Sequence, residues 1–427
     1  MKAEVLTIGD ELLRGEIIDS NKSYLSDRLL QLDIETRFHT TVADDPEDIR
    51  DALICATERS QVVLVSGGLG PTRDDITVEI LASTFDRNLL LDQDSLNALE
   101  TFFSKLGREM SDLNRKQAYF PEGAEILLNP IGTAPGCLLE ASGSLVFCMP
   151  GVPRELYLMM DEQVLPRIST HLSNETVVRA RLLRTFGMGE SNLDEALGDL
   201  ARNDKDVKLG FRTSFPDNYI RPVVKGGNEV AALRKLDGIC ESIHERLGAI
   251  VYAEGETPME KVVGELLDSS NKTFATAESC TAGLIAHRIT EVPGSSSYFQ
   301  GGVVAYADKS KRQLLGVDAD LLSRHGAVSN EVARAMAEGA LARFDSDIAV
   351  STTGISGPGG GSDEKPVGLV FIGLADKSGS EAHSFVISLD RKRHRELTAQ
   401  LALDWVRRRL LGAPYIPPQF LRQQVKQ

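Results

Sequence analysis

The sequence predicts an α/β protein: two three-layer α/β domains with mostly parallel sheets, joined by a small α+β domain. Three observations predict it. Apolar runs of strand length alternate with helix-spaced segments over residues 1–168 and again from 258 to about 411. The stretch between them runs in a different order. And 427 residues are more than one ordinary hydrophobic core accommodates.

In chain order, residues 3–8 read as a buried strand that ends in the polar turn Gly9-Asp10-Glu11. Tyr24, Leu25, Leu29 and Leu30 have helical spacing, 35–42 reads as a strand and 48–57 as a helix. Val62-Val63-Leu64-Val65 is a short, wholly apolar strand. So is Val146-Phe147-Cys148-Met149, which Pro150-Gly151-Val152-Pro153 stops. A helix over 154–168 closes the first domain, residues 1–168. In 169–252, strands are expected at 179–185, 208–213, 219–225 and 249–252, with helices at 192–200 and 230–246. That is a β-α-β-β-α-β order. After a linker, Thr257-Pro258-Met259-Glu260 reads as an N-cap, a proline in the first turn and a capping-box glutamate. The third domain covers 258–412, and its last helix, 394–410, carries Leu401 and Trp405 on an apolar stripe. Residues 413–427, with Pro417-Pro418, are expected to form a flexible or loosely docked tail.

Composition narrows the function classes. Hydrophobic residues at 42% and charged residues at 26% describe a globular chain, and no stretch approaches a membrane span of roughly 20 apolar residues. Met1-Lys2-Ala3-Glu4 carries charges where a signal peptide needs an apolar run. Cys55, Cys137, Cys148, Cys240 and Cys280 are scattered and form no Cys-x-x-Cys pair, so neither a zinc site nor a disulfide framework is suggested. A cytoplasmic protein without a membrane partner is expected. The formal charge of −15 repels nucleic acid at long range, so a nucleotide ligand needs a local site of backbone N–H groups, basic side chains or a metal.

One such site is expected where the 62–65 strand runs into Ser66-Gly67-Gly68-Leu69-Gly70-Pro71-Thr72-Arg73-Asp74-Asp75. Glycines after a strand let the backbone turn tightly and offer N–H groups to an anion at the next helix. Asp74 and Asp75 would repel a bare phosphate, so a divalent metal ion is expected between them and the ligand. Glu79 stands one helical turn beyond Asp75 on the same face. The plainer alternative is that the aspartates complement the helix dipole and the glycines make a turn.

Gly9-Asp10-Glu11-Leu12-Leu13-x-Gly15 with Asp19 and Asn21, then the 66–75 run, then Pro150-Gly151-Val152-Pro153-x-Glu155, together resemble the molybdopterin-binding domain of CinA proteins over about residues 1–167. The resemblance implies a metal-dependent ADP-ribose pyrophosphatase. Asp74, Asp75 and Glu79 would be metal-side groups, Gly67, Gly68 and Gly70 the ligand loop, and Asp10, Asn21 and Asp44 would line the pocket. Adenylyl transfer to a pterin is the alternative chemistry for that fold. The middle segment resembles the KH-like domain of the same proteins. It lacks the Gly-x-x-Gly loop with which such modules clamp nucleic acid, so a spacer or dimerisation role is expected.

A second site is expected where Ala277-Glu278-Ser279-Cys280-Thr281-Ala282-Gly283, Gly294-Ser295-Ser296-Ser297, the 301–311 segment and Ser351-Thr352-Thr353-Gly354 bring hydroxyls, lysines and glycine turns together without histidine. A serine nucleophile then needs another base. Lysine serves only when desolvated or set near positive charge, since its ordinary pKa is about 10.4. These stretches, with His325-Gly326-Ala327-Val328-Ser329 and Asp390-Arg391, resemble the nicotinamide-nucleotide amidohydrolase domain of CinA proteins over about 258–412. The resemblance implies deamidation of nicotinamide mononucleotide without a cofactor. Ser296 is the expected nucleophile and Tyr306 and Lys311 its activating partners. Thr353 and Arg391 are expected to bind substrate, with Ser279 and Thr281 at phosphate or oxyanion. Cys280 is the rival nucleophile. Ala282 and Leu389 depart from the pattern, standing where glycine is usual. A homodimer is expected from the same resemblance, and a non-catalytic interaction protein of competence or DNA damage is the alternative class.

Overall fold

A computed structural model describes residues 1–105, 107–172, 176–202 and 204–423; residues 173–175 of the expected middle domain and 424–427 of the expected tail lie outside the described residues. The chain divides into two units, 1–179 with 225–233, and 180–224 with 234–427.

In the first unit, the strands Glu35–Val42, Lys2–Ile8, Val62–Ser66 and Ser144–Met149 lie side by side and parallel. Gly136–Ala141 and Glu125–Leu127 extend the sheet antiparallel. Val62–Ser66 and Ser144–Met149 are buried at every position, as sheet covered on both faces requires. Alternation then divides the cores: Val62 and Leu64 pack on one face with Leu25 and Leu29, Val63 and Val65 on the other with Leu53 and Ala56. The helix Ser20–Leu30 starts under the Asp19 cap. Pro46–Arg59 starts under Asp45, whose carboxylate accepts from Glu47 N and Asp48 N.

The second unit holds two sheets. In the smaller, Val207–Ser214, Asp217–Gly226, Leu183–Thr185 and Val251–Glu254 pair antiparallel in that order. In the larger, Phe299–Val304, Phe274–Glu278 and Ile348–Gly354 run parallel, and Leu369–Asp376 and Gly379–Val386 continue antiparallel. The helix Arg391–Leu410 is buried without a break from Leu397 to Arg408, so the expected single apolar stripe is replaced by burial on all sides. Its charged residues are therefore paired. Asp404 accepts from Arg407 at 2.6 Å and Arg408 at 2.8 Å, and Arg407 also donates to Ala249 O at 2.5 Å. Farther up the helix, Gln400 donates to Asp217 at 2.7 Å. Asp217 also receives Arg184 at 2.8 Å and Tyr252 OH at 2.5 Å, tying the smaller sheet to this helix.

Two local expectations change. The helix after the linker is Met259–Ser269 with Pro258 as an N-cap that makes no side-chain bond, and Glu260 pairs with Arg288 at 2.6 Å instead of closing a capping box. The tail is docked through residue 423: Tyr415 lies 5.1 Å from Trp405 and 4.6 Å from His383, ring centre to ring centre, and Arg422–Gln423 pairs with Gly379–Val386. Among the described residues, no helix is long and apolar enough to cross a membrane.

Candidate functional site

The first unit gathers its expected ligand loop at the carboxyl ends of its parallel strands. Gly67 has φ 112°, and a Cβ there would stand 2.2 Å from Ile8 O, so the turn admits only glycine. Asn21, 7% exposed, donates to Ser66 Oγ at 3.0 Å and Gly151 O at 2.8 Å, pinning two of these strand ends together. Asp44 accepts Asp10 N at 3.0 Å. Burial first, then repulsion from Glu11, Asp10 and Asp75, push its carboxyl above the ordinary value, against the Asp10 N–H bond. A cavity of about 270 Å³ opens below the loop, lined by Gly68, Gly70, Asp75, Glu79, Lys116 and Tyr119 among others.

The expected metal set is arranged as follows. The Asp75 carboxylate is turned back on its own loop, accepting from Thr72 N at 2.8 Å and Thr72 Oγ1 at 2.6 Å. Lys116 donates to Asp75 O at 2.7 Å and also to Thr72 O. Asp74 and Glu79 are exposed. Among the described residues no three His, Cys, Asp or Glu side chains are grouped to hold a metal. The loop uses Asp75 Oδ2 for its own turn, while Asp74 and Glu79 stand exposed beside it.

In the second unit, the expected residues separate into two places. The strand Phe274–Glu278 ends beside Val304 and Thr352; Ser279 N donates to Thr352 O at 2.9 Å, and Ala305 N to Glu278 O at 2.8 Å. Ser279, Thr281, Tyr306, Lys311 and Thr353 all follow or close these strand ends. Thr281 Oγ1 lies 2.6 Å from Thr352 Oγ1, and Thr353 Oγ1 donates to Ala327 O at 2.7 Å. Arg391 comes to the same edge, its Nη2 3.2 Å from Tyr306 OH and its Nη1 2.8 Å from Gly357 O. Lys311 is only 1% exposed; its Nζ donates to Tyr306 O at 3.2 Å and Asp308 Oδ1 at 3.4 Å.

Ser296 lies elsewhere. It is exposed in the turn Ser295–Ser297, which precedes the strand Phe299–Val304, whereas Tyr306 and Lys311 follow that strand. Neighbouring Ser297 bonds Asp268, and Tyr298 O receives Phe274 N at 2.7 Å, at the first residue of its strand. A strand rises about 3.3 Å per residue, so about 16 Å of it separates the two ends. The expected meeting of Ser296 with Lys311 does not occur. Ser279 shares an edge with Tyr306 and Lys311 because residues just past the carboxyl ends of parallel strands lie side by side, a relation that spacing along the chain does not display.

The turn holding Ser279 is tightly fixed. Glu278, 1% exposed, accepts Ile285 N at 3.1 Å and Ala286 N at 2.9 Å, and Arg395 donates to Thr281 O at 2.8 Å. Ala282 sits at φ 51°, a left-handed conformation that costs a residue with a Cβ about 1–2 kcal/mol. Ala282→Gly is thus expected to raise stability by about 1 kcal/mol, read as a higher urea midpoint at unchanged slope. Burial pushes the Cys280 thiol up to about 12, with a Thr352 hydrogen bond opposing. A thiol held so far from thiolate is a poor attacker. Cys280→Ala is expected to lose about 1–2 kcal/mol from the small cavity it leaves, read as a lower urea midpoint.

A putative competence-damage inducible protein of Caldicellulosiruptor bescii is 42% identical over 411 residues, covering 96% of this chain and 100% of the relative. The chain belongs to the CinA family. A CinA-like protein of Dictyoglomus thermophilum is 40% identical over 412 residues, again 96% of this chain and all of the relative. Family models match in three places: the CinA C-terminal domain over 256–410, a probable molybdopterin binding domain over 4–170, and the damage-inducible protein CinA KH domain over 180–253. Among solved structures, a competence/damage inducible protein of Agrobacterium tumefaciens is 40% identical over 35% of this chain and 91% of that one, at a TM-score of 0.34. For this CinA-family chain, both candidate sites lie inside matched segments.

Proposed function

We propose that the second unit hydrolyses a primary carboxamide, that of nicotinamide mononucleotide, to the acid and ammonia. The observation that carries this reading is the gathering of a strand-end serine, a buried lysine, a tyrosine and an arginine at one sheet edge. Ser279 Oγ attacks the carboxamide carbon, and its proton passes to Lys311. N–H groups of the turn 280–283, at the start of the helix Leu284–Thr290, would supply the oxyanion contacts, apart from that of Ala282, which bonds Ser279 O. The tetrahedral intermediate expels ammonia, which takes the proton from Lys311. Water then cleaves the ester, giving nicotinate mononucleotide and free Ser279. Arg391, exposed beside Tyr306, suits the nucleotide phosphate as a planar donor fork.

The test is ammonia release from nicotinamide mononucleotide, with and without chelator, beside the riboside that lacks phosphate. The reading expects release that chelator does not change, and a KM at least about tenfold higher for the riboside, equivalent to one charge-assisted contact of about 1.4 kcal/mol. No ammonia from either substrate overturns it.

For the first unit we propose hydrolysis of the diphosphate of ADP-ribose, supported by the glycine turn and the adjoining cavity with Lys116 on its wall. No step is assigned to a metal. Release of AMP from ADP-ribose supports this reading. Adenylylation of a pterin from ATP, with ADP-ribose untouched, supports the alternative chemistry.

A further inference from the structure

A second cavity of the unit formed by 180–224 and 234–427, about 600 Å³, has a lining that includes none of Ser279, Tyr306, Lys311 and Arg391. It sits where the Ser214–Asp217 turn faces the connector into the Arg391–Leu410 helix. Its volume falls within the range of small-molecule pockets. Phe215, Leu389, Leu397 and Phe420 give it an apolar body.

Its polar wall is rich in acceptors, with Thr213 and Glu190 open to solvent. Thr213 Oγ1 is 3.0 Å from Glu190 Oε2 and 2.7 Å from Asn218 Oδ1, both acceptors, and a hydroxyl carries one proton. The amide of Asn218, 9% exposed, cannot turn to help, because its Nδ2 donates to Met188 O at 2.8 Å. Asp217 is already occupied by Arg184, Tyr252 and Gln400. Glu190 has no ion-pair partner among the described residues. The start of the Glu190–Leu197 helix adds about half a positive charge beside it, which the full carboxylate charge outweighs. Arg393, whose guanidinium lies 5.5 Å from the Phe215 ring, has Asp390 at 3.9 Å.

We propose that this cavity binds a small organic cation: an apolar or aromatic body against Phe215, Leu389 and Phe420, with a hydrogen-donating head on Glu190 and Asn218. Such a head offers a charged donor to two acceptors that share the one Thr213 hydroxyl proton, in place of solvent. No amidase or pyrophosphatase activity is assumed.

Calorimetric titration of the full chain with phenethylammonium and with 3-phenylpropionate tests it, the two probes sharing a ring and differing in the sign of the head. The cation is expected to bind at least about tenfold more tightly than the anion. Glu190→Gln, which keeps the shape and the Thr213 bond, should weaken the cation about three- to tenfold and leave the anion unchanged or improved. Phe215→Ala, at an exposed ring, should weaken both. Thermal melting of each variant confirms the fold. Equal binding of the two probes, binding of neither at 10 mM (about the weakest affinity worth 2.7 kcal/mol), or a Glu190→Gln chain that binds the cation as before overturns the proposal.

Discussion

Ser279→Ala lowers ammonia release from nicotinamide mononucleotide by about 10³- to 10⁶-fold, the range expected when a nucleophile is removed and its surroundings remain. Ser296→Ala, in the same assay, stays within about twofold. The contrast follows from the sheet. Ser279 follows the Phe274–Glu278 strand and shares its edge with Tyr306, Lys311 and Arg391, while Ser296 precedes the neighbouring parallel strand. The Ser279 side chain is 7% exposed as a residue and its backbone is held by Thr352, so alanine removes one oxygen without opening the turn. Equal losses in the two variants would show that the strand-end edge is not where attack occurs.

Lys311→Met lowers kcat by about 10²- to 10⁴-fold, the ordinary worth of a positioned acid–base group, and leaves KM within about threefold. Methionine matches the length of the lysine stem. Lys311 Nζ has one carboxylate, Asp308, at 3.4 Å, and that carboxylate is exposed. Replacing a buried polar head by an apolar side chain of similar volume removes its desolvation cost, so the thermal midpoint should not fall. A folded Lys311→Met chain with normal kcat would remove lysine from the chemistry, whatever the fate of Ser279. A variant that melts early would instead assign Lys311 a structural part.

Much of the fold could be read from sequence because its signals are local. Apolar runs at 62–65 and 146–149 became strands buried at every position, and the β-α-β-β-α-β order of the middle segment came from turns such as Pro216-Asp217. Non-local effects were not legible. The Arg391–Leu410 helix reads as one-sided because Arg407 and Arg408 look like solvated charges; only the fold brings Ala249 O to them and Asp217 to Gln400. Tyr415 looked like part of a loose tail until Trp405 and His383 supplied its packing.

The sites divide in the same way. Tyr306, Lys311, Thr353 and Arg391 reached one edge because each sits at a strand end or helix start that the sequence marks. For Ser296 the closeness in sequence to Lys311 conceals the strand between them. The Asp75 bonds to its own turn were not legible either, because an aspartate three residues after Thr72 can bond its turn as well as a metal.

The most direct test of the serine site is to label the active full chain with a fluorophosphonate, which phosphonylates an activated serine with loss of fluoride, and to map the tryptic peptides. Label on residues 273–288, which contain Ser279, and its suppression by nicotinamide mononucleotide is the predicted result. Label on residues 289–309, which contain Ser296, or an unlabelled 273–288 peptide from active protein, would contradict it.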